Sequence, residues 1–594
     1  MQTIIKIFSL LNSQEKNKAF LLFVLILVMA FIDVLGVASI FPFISLMANP
    51  ELLENNDLLI YLYKKSLYLG INNTKQFLLL FSYLVFFLLI FSLSLRALTI
   101  YVQIRFCLMR EYSIGKLLLE KYLYQPYSWF LNKNSSDLGK NILSEVNQVI
   151  YQIIIPMMNL ITQGTIIIAL LLLLILIDII LALKIATVLI STYGIIYFLM
   201  KNFLSKIGLQ RLISNKERFI ITNEAFGSFK ELKLGGFEEN YIKRFSQPAK
   251  KYANNQSLAE VIGLIPRYFI EALAFGGLII IVLIFMKRGG DFVSLVPIIS
   301  LYAFVGYRIM PALQQCYNAL TQLKFSSPAL TNLYNDLITL KSNKQKYNAR
   351  RVISLNDSIE LKNVYFNYSN NNFYTLKNIN LKIPAFNIVG IIGRTGSGKT
   401  TLIDILIGLL DIKRGHMLVD GYKINLTNIK SWQRNIGYVP QQIYLSDDTI
   451  LANIAFGIEK KNIDKNAVIT AAKIADLDNF ISKELPDGYY TVVGERGIRL
   501  SGGQKQRIGI ARALYHKPKI IILDEATSSL DIKTEKNIMS ALFKIKEKIT
   551  IIIVAHRPSA IQNCDKIFLI DKGEIYEHDK FRDKKLNLIN IKKK

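Results

Sequence analysis

Gly393-Arg394-Thr395-Gly396-Ser397-Gly398-Lys399-Thr400 has the spacing G-x-x-x-x-G-K-T. An apolar, strand-like run, Ile388–Ile392, precedes it, and a helix-like run, Thr401–Leu410, follows it. This context favours a phosphate-binding loop (P-loop) over an ordinary glycine-rich turn, because glycines let consecutive backbone N–H groups curl around phosphate oxygens at a helix start. The motif predicts a nucleotide site in which Lys399 reaches the β- and γ-phosphates and the Thr400 hydroxyl binds Mg²⁺.

A second apolar run, Ile520–Leu523, ends in two carboxylates, Asp524 and Glu525. An aspartate at a strand tip beside a P-loop can supply the oxygen ligand that Mg²⁺ needs. The next residue, Glu525, is then placed to polarise the attacking water as a general base. These residue types in this order predict a nucleotide site that hydrolyses what it binds.

A third segment lies between the first two. Leu500-Ser501-Gly502-Gly503-Gln504 opens an apolar-periodic helix that runs through Leu514, and its serine is also a good helix N-cap. A P-loop, then LSGGQ, then a strand ending in Asp-Glu resembles the nucleotide-binding domain of ATP-binding cassette (ABC) transporters over about residues 358–580.

The resemblance implies a role for each matching residue. Tyr368 would stack on adenine, Gln441 would sense Mg²⁺ and the membrane domain, and His556 would lie near the γ-phosphate. ATP and Mg²⁺ are the implied cofactors, with Thr400, Gln441 and Asp524 as metal contacts and Glu525, His556 and Gln441 as catalytic residues. The implied nucleotide-binding residues are Tyr368, Gly393, Thr395, Gly396, Ser397, Gly398, Lys399, Thr400, Thr401, Ser501, Gly502, Gly503 and Gln504.

Two further segments refine the resemblance. Thr491–Gly497 reads TVVGERG, which is similar to a stretch typical of ABC exporters and not of importers. Ser528–Asp531 corresponds to the family's D-loop, in which alanine is more frequent than serine at the position of Ser529. The first feature favours an exporter, and the second is a mild departure from the family pattern.

Composition indicates a membrane protein with more than one domain. The chain has 594 residues, 52% of them apolar, and a mean hydropathy of +0.31. Its 72 basic and 44 acidic residues give a net charge of +28, which by itself could indicate nucleic-acid binding. The basic residues gather in loops that flank apolar runs, as cytosolic loops do, so we expect no nucleic-acid partner. Three widely spaced cysteines predict neither a disulfide framework nor a zinc site.

The N-terminal half contains six apolar runs long enough to cross a membrane. Long, polar, basic segments join the second run to the third and the fourth run to the fifth, so we place both segments and both termini in the cytosol. The first run is longer than a signal-peptide core and is expected to be retained. The runs are Ala19–Met47, Phe77–Phe106, Ile150–Ile177, Ile179–Leu204, Leu258–Met286 and Val293–Leu313.

Six helices with two long cytosolic excursions resemble the membrane domain of ABC exporters. The fold class implied is this six-helix membrane α-helical domain followed by an α/β P-loop NTPase domain. We expect the membrane domain at residues 1–330, a linker at 331–350 and the nucleotide-binding domain at 351–594. In the family, short coupling helices in the excursions contact the ATPase domains, and Tyr127–Leu131 and Glu224–Glu231 are the candidates.

The external loop between the first two runs, residues 49–76, is unusually long for an exporter. Leu58–Leu69 is apolar with two central lysines and suits a short helix in the membrane interface. It resembles the external helix of bacterial flippases for lipid-linked oligosaccharides. A plain structural lid is an alternative that this segment leaves open.

Three arginines, Arg96, Arg267 and Arg308, fall within apolar runs and near the inner-leaflet half of the membrane. Such side chains are costly in lipid unless they face a cavity or a partner. Together they could hold a phosphate or pyrophosphate headgroup. The alternative is internal pairing, for which Glu271, four residues after Arg267, is well placed.

The sequence therefore predicts a half-transporter in the bacterial inner membrane, with its ATPase domain in the cytoplasm. Each ATP-site motif occurs once, so by resemblance the functional unit is a homodimer with two composite sites. A membrane lipid, and an amphipathic or lipid-linked substrate, are the expected partners, with a lipid-linked oligosaccharide favoured. Alternative substrates are phospholipid or lipid A, drugs, and peptides. Two other protein classes are also considered: the six spans argue against a soluble ABC ATPase, and an ATP-gated channel is supported by fold analogy alone.

Overall fold

The computed structural model divides into two compact units. The first comprises Met1–Gln125 and Asn132–Asn343, and the second comprises Pro126–Leu131 and Lys344–Lys594. The residues that the structure describes are 2–9, 11–48, 61, 63–66, 68, 73–177, 179–287, 292–340, 353–368, 373–526, 530–555 and 561–578. Half of the residues of Leu58–Leu69 lie outside them, as do residues 341–350 of the predicted linker, so the domain boundaries stay a prediction.

The first unit is built from helices, several of them longer than a bilayer is thick. The helix Thr74–Leu123 has 50 residues. At about 1.5 Å per residue it is roughly 75 Å long, against about 30 Å for a hydrocarbon core. The helices, with one short helix of the second unit included to keep chain order, are α1 Gln2–Ser9, α2 Ser13–Ala38, α3 Ile40–Ala48, α4 Thr74–Leu123, α5 Tyr127–Phe130, α6 Ser135–Lys140, α7 Val146–Val149, α8 Ile155–Ile177, α9 Ile179–Gly227, α10 Phe229–Gly235, α11 Glu238–Lys287 and α12 Phe292–Thr339.

The first predicted span runs from α2 into α3, the third begins in the π-helical segment Ile150–Ile154 and continues in α8, and the second and fourth lie within α4 and α9. In the described part of the chain, four stretches are long and apolar enough to cross a membrane: Ser13–Ile44, Lys75–Leu123, Ser135–Leu176 and Ala186–Gly227. The fifth and sixth predicted spans lie in α11 and α12. The prediction of a helical, multi-pass membrane domain is thereby supported by the helix lengths as well as by composition.

The path from α6 to α8 is interrupted by two π-helical segments, Asn141–Glu145 and Ile150–Ile154. Such segments are rare and often occur where a helix has a functional constraint. Glu145, at the end of the first, is fully buried and accepts hydrogen bonds from Arg211 at 3.1 Å and Asn215 at 2.9 Å, both on α9. A buried ion pair thus joins this segment to α9.

The second coupling-helix candidate, Glu224–Glu231, is not one helix. α9 ends at Gly227, Ser228 has non-helical dihedral angles (φ −111°, ψ 34°), and the short α10 begins at Phe229. The prediction of a single helix was wrong because the backbone breaks at Ser228. The first candidate does contain a helix, α5, over Tyr127–Phe130.

The second unit contains two sheets. A four-stranded antiparallel sheet has the order β2-β1-β4-β5, and a six-stranded sheet has the order β10-β9-β3-β8-β7-β6, parallel except for the β10–β9 pair. The strands are β1 Ser358–Phe366, β2 Leu376–Pro384, β3 Ile388–Gly393, β4 Arg414–Val419, β5 Tyr422–Lys423, β6 Ile436–Val439, β7 Ile520–Asp524, β8 Thr550–Val554, β9 Lys566–Asp571 and β10 Glu574–His578.

The central strands of the larger sheet are continuous apolar runs because both of their faces are covered. Every residue of β7 and β8 is buried, as expected for parallel strands between helical layers. The α-helices of this unit after α5 are α13 Lys399–Leu406, α14 Ile429–Gln433, α15 Ile450–Ile454, α16 Lys465–Ile474, α17 Asp478–Glu484, α18 Gly502–Tyr515 and α19 Ile532–Lys544.

The helix after the P-loop differs from the predicted Thr401–Leu410. It begins at Lys399 and ends at Leu406. Gly408 has a left-handed backbone (φ +70°), and the N–H groups of Leu409 and Leu410 both donate to the carbonyl of Asp404. A left-handed glycine is a common helix terminator, so the apolar periodicity continues past the point where the helix stops.

Candidate functional site

The parallel register brings the predicted nucleotide-site segments to one edge of the larger sheet. The P-loop follows β3, Asp524 ends β7, and Gln441 follows β6. β8 lies between β3 and β7, with Val554 opposite both Ile391 and Asp524. Because the carboxyl ends of these strands meet, segments far apart in sequence form one crevice.

The P-loop has a backbone that requires glycine. Gly396 and Gly398 have φ values of +79° and +108°, in the left-handed region. A Cβ on Gly393 would lie 2.3 Å from the carbonyl oxygen of Ile570 and 2.7 Å from Ser397 Oγ. No side chain fits at Gly393, and the loop leaves its backbone N–H groups close to whatever it encloses.

Two side chains of the loop fit a phosphate ligand. Lys399 Nζ donates to the carbonyl oxygens of Gly393 at 2.8 Å and Arg394 at 3.0 Å, so the amine is folded over the loop. Burial lowers the pKa of Lys399, against the opposing influence of Glu525 and Asp524. Ser397 Oγ is buried and has no hydrogen-bond partner among the described residues. A phosphate oxygen would satisfy both groups.

The two predicted carboxylates lie where the strand ends. Asp524 is buried at the tip of β7 and accepts a hydrogen bond from Tyr438 Oη at 3.2 Å. Burial is the main cause that raises the pKa of the Tyr438 hydroxyl, and the negative charges of Asp524 and Asp404 raise it further. The tyrosine therefore remains the hydrogen-bond donor in this contact. The side chains of Thr400, Asp524 and Gln441 are of the oxygen-bearing kind that Mg²⁺ accepts.

Glu525 is held in a strained conformation beside Gln441. Its φ is +50°, its N–H donates to the carbonyl of Val554 at 3.0 Å, and its carboxylate accepts from Gln441 Nε2 at 2.8 Å. A non-glycine residue in this region costs about 1–3 kcal/mol and is often found at active sites. The structure therefore brings together two of the three predicted catalytic residues; the third, His556, lies outside the described residues.

Tyr368 contacts the first turn of α13, the helix that follows the P-loop. Its hydroxyl is 3.0 Å from Thr401 Oγ1, and its half-buried ring makes an edge contact with Phe366 at 5.0 Å between centroids. Its position next to the P-loop is compatible with stacking on a base, which stays a prediction.

The LSGGQ segment forms the predicted N-cap of α18. Ser501 Oγ accepts from the N–H of Gln504 at 3.3 Å, while Gln504 Oε1 accepts from the N–H of Ser501 at 2.8 Å. This reciprocal pair is a capping box. Ser501 and Gly502 are exposed, Gly503 and Gln504 are half-buried, and among the described residues no hydrogen bond joins this segment to the P-loop.

Sequence reasoning did not single out Tyr438 or Asp404. Asp404 is buried on α13, and burial together with Asp524 raises its pKa to about 6. A carboxylate on the inward face of a predicted helix was the available signal for Asp404. For Tyr438 the signal was weaker, since a tyrosine in a strand is ordinarily a packing residue.

The three membrane arginines have different surroundings. Arg308 forms an ion pair with Asp33 at 3.2 Å, and Asp33 also accepts from Ser92 Oγ at 2.8 Å. Arg267 pairs with Glu271 at 2.6 Å, as the pairing alternative predicts. Arg96 is half-buried and forms no ion pair within the described residues. Asp33 was missed, although a carboxylate within an apolar span is itself a signal that a partner exists.

Comparison with known proteins agrees with this geometry. Residues 376–528 match the family model of the ABC transporter. The ATP-dependent lipid A-core flippase of Haemophilus influenzae (strain 86-028NP) is 44% identical over 220 residues, 37% of each chain. ABC transporter B family member 29, chloroplastic, of Arabidopsis thaliana is 33% identical over 376 residues, 63% of this chain and 59% of the relative. The chain thus matches only 37–59% of the lengths of these relatives.

The fold comparison covers nearly all of the chain. The solved structure of a bacterial Atm1-family ABC exporter with ATP bound aligns over 95% of both chains with a TM-score of 0.75 and 22% sequence identity. The chain therefore has the ABC exporter fold, with a helical membrane domain fused to an ABC transporter ATPase domain, and it is a multi-pass integral membrane protein. The predictions of family resemblance, fold class and membrane location are confirmed.

Proposed function

We propose that the protein is an ATP-driven exporter that hydrolyses ATP at the described sheet edge and moves a lipid-linked substrate across the bacterial inner membrane. One observation supports this most directly: the P-loop, Asp524, Glu525 and Gln441 converge in a chain that also carries long membrane-spanning helices. The ATPase domain would lie in the cytoplasm.

The chain's own residues divide the work at the site. The loop N–H groups, Lys399 and Ser397 would hold the phosphates, and Thr400, Asp524 and Gln441 would hold Mg²⁺. Positive charge supplied there by Mg²⁺ would offset the negative charge that develops on the phosphate oxygens. Glu525, fixed by Gln441 at 2.8 Å, would orient and deprotonate the attacking water.

The functional unit that we propose is a homodimer. The P-loop and the exposed Ser501–Gln504 segment occur once each, and in the ABC family one chain's P-loop and the other chain's LSGGQ enclose one ATP. Mixing a Lys399→Ala chain with a Ser501→Arg chain would then give dimers with one intact composite site, whereas each variant alone has none. Full ATPase activity in purified monomers would contradict this assembly.

For the substrate we favour a lipid-linked oligosaccharide or a related glycolipid. The support is a half-buried cation, Arg96, without an ion pair among the described residues, and a long external segment that suits the membrane interface. A lipid of the lipid A-core type is the second candidate, because the Haemophilus influenzae relative is an ATP-dependent lipid A-core flippase. Drugs, phospholipids and peptides remain the alternatives.

The test is the ATPase rate of the purified protein in liposomes containing one candidate lipid at a time. We expect a Mg²⁺-dependent basal rate that a pyrophosphate-linked glycolipid raises more than phospholipid, lipid A or a drug panel does. A basal rate that is absent in the presence of Mg²⁺ would contradict ATP-driven export. A basal rate raised only by drugs or phospholipid would overturn the glycolipid assignment alone.

A further inference from the structure

The chain passes between its two compact units at three places. These are Gln125/Pro126, Leu131/Asn132 and Asn343/Lys344. α4 ends at Leu123, just before the first crossing, and α12 ends at Thr339, just before the third. The C-terminal ends of α4 and α12, together with the start of α6 at Ser135, are therefore the helical parts of the first unit that lie close in sequence to the crossings.

A hydrogen-bonded cluster joins these two helix ends. Tyr122 Oη, on α4, donates to Asp336 Oδ2, on α12, at 2.6 Å. Asn141 Nδ2 donates to the same Asp336 oxygen at 3.1 Å and to Tyr122 Oη at 3.2 Å. Tyr122 and Asn141 are buried and Asp336 is half-buried, so water competes weakly for these contacts.

A second contact in the same place closes the end of α12. The ammonium group of Lys121 donates to the carbonyl oxygens of Leu337 and Leu340, the latter at 3.1 Å. Carbonyl groups in the last turn of a helix have no intrahelical donor, and a cation there also opposes the negative end of the helix dipole. Neighbouring residues of α4 thus bind both a side chain and the backbone of the last turns of α12.

Asn141 connects this cluster to a third helix. It is the first residue of the π-helical segment whose last residue, Glu145, binds Arg211 and Asn215 of α9. One short segment therefore contacts α4 and α12 through Asn141 and α9 through Glu145. The π-helical segment therefore connects α4, α12 and α9 through hydrogen bonds. Such a network of rigid helices can transmit a displacement from one helix to the others.

We propose that Tyr122, Asn141 and Asp336 form a clamp that makes the cytosolic ends of α4 and α12 move as one. If ATP binding or hydrolysis in the second unit displaces the end of either helix, α4 and α12 would then move together. The clamp residues are positioning residues, not catalytic ones. This inference rests on the proposed function, because transmission has a consequence only if ATP hydrolysis is coupled to transport.

The test compares Tyr122→Phe, Asn141→Leu and Asp336→Ala with the matched control Tyr112→Phe, which removes an exposed hydroxyl from the same helix. In liposomes with the stimulating lipid, we expect the three clamp variants to keep the basal ATPase rate within about twofold and an unchanged KM for ATP. The ratio of stimulated to basal rate should fall about five- to tenfold, the size expected for losing one typical intramolecular hydrogen bond. The control should match the parent.

Hydrogen–deuterium exchange of residues 333–340 without nucleotide gives a measurement independent of turnover. Uptake there should rise in the clamp variants and stay unchanged in the control, while uptake in the P-loop peptide is the same in all.

A parent-like stimulation ratio in Tyr122→Phe would overturn the proposal. So would a parallel loss of basal rate, stimulation and melting temperature, which would indicate a purely structural cluster. A parent without any Mg²⁺-dependent ATPase contradicts the exporter function, whereas unchanged exchange at 333–340 contradicts the clamp.

Discussion

The membrane unit and the ATPase unit place their buried charges in opposite ways. In the membrane unit, buried carboxylates meet arginines from another helix: Glu15 with Arg110, Asp33 with Arg308, and Glu145 with Arg211. In the ATPase unit, Asp404 is buried under the electrostatic influence of a second carboxylate, Asp524. The difference separates two uses of charge. Opposite charges that neutralise each other hold helices together. Two buried carboxylates that influence each other destabilise the empty protein, and such an arrangement is typical of a site that binds a cation, here Mg²⁺ with the nucleotide phosphates.

The largest effect should come from removing the base at the ATPase site. Glu525→Gln should lower steady-state ATP hydrolysis by about 10²–10⁴-fold, the usual contribution of a general base, while nucleotide binding persists and the closed dimer accumulates. The matched control is Glu484→Gln, which changes an exposed glutamate of the same unit. Hydrolysis and nucleotide binding are measured on the same preparations. Near-normal turnover in Glu525→Gln would contradict the role of this residue.

The next effect concerns stability in the membrane unit. Arg211→Met should lower the free energy of unfolding by about 3–5 kcal/mol, because it leaves the fully buried Glu145 carboxylate uncompensated. Combining it with Glu145→Leu should recover most of that loss. The control is Arg244→Met at the exposed pair with Glu224, expected to change stability by about 0.5 kcal/mol or less.

Thermal unfolding in detergent, followed by the loss of the helical circular dichroism signal, measures these differences, because both tryptophans, Trp129 and Trp432, lie in the second unit and do not report on the membrane unit. If Arg211→Met unfolds at the same temperature as the Arg244→Met control, buried pairing is not what stabilises the membrane unit, and the contrast between the two units fails.

A smaller effect depends on pH and belongs to the ATPase unit. The folded pKa of Asp404 is raised from the ordinary 3.8 to about 6, so folding favours the protonated form. The stability gained from protonation is fully present below about pH 4 and is lost as the pH rises through about 6. Asp404→Asn imitates the protonated acid, so at pH 8 it should stabilise the nucleotide-free protein by about 1–3 kcal/mol. The difference should shrink towards pH 4 in unfolding curves recorded over this range; a pH-independent difference would show that Asp404 does not titrate in this window.

The ATPase site was predictable because each of its segments carries a local signal. The P-loop glycines, the capping serine of LSGGQ and the strand ending in Asp524 and Glu525 each have a pattern that short-range physics explains. Parallel pairing of β3, β8, β7 and β6 then brings the segments together, and continuous apolar runs such as β7 predict that pairing.

The membrane unit was less predictable because its partners depend on helix rotation and depth. Asp33 and Arg308 lie at opposite ends of the membrane unit's sequence, and nothing local to either residue specifies the other. The pair Arg267–Glu271 was predictable because both side chains lie on one helix, four residues apart. Asp404 was missed for a related reason, since its burial follows from tertiary packing and not from its helix. The break at Ser228 did have a local signal, because Gly227 directly precedes it and Gly-Ser pairs are common sites of helix kinks.

The smallest expected effect concerns the substrate. It tests whether Arg96, which forms no ion pair within the described residues, contributes to substrate transport. Arg308 is neutralised by Asp33 and Arg267 by Glu271, so the idea of three arginines acting together on a headgroup now depends mainly on Arg96. Arg96→Ala should lower flipping of a pyrophosphate-linked glycolipid about two- to fivefold, since one partly exposed cation contributes about 0.5–1 kcal/mol. Arg96→Lys should retain most of the activity, and basal ATPase should stay near the parent rate.

Arg267→Ala is the matched control, because its charge is already paired. Arg308→Ala is compared only together with Asp33→Ala, since alone it would leave a buried carboxylate without its cation. If both Arg96→Ala and the variant that combines Arg308→Ala with Asp33→Ala flip the glycolipid at the parent rate in a reconstituted assay, the hypothesis that these arginines serve the headgroup fails, and a phospholipid or a hydrophobic drug becomes the better substrate.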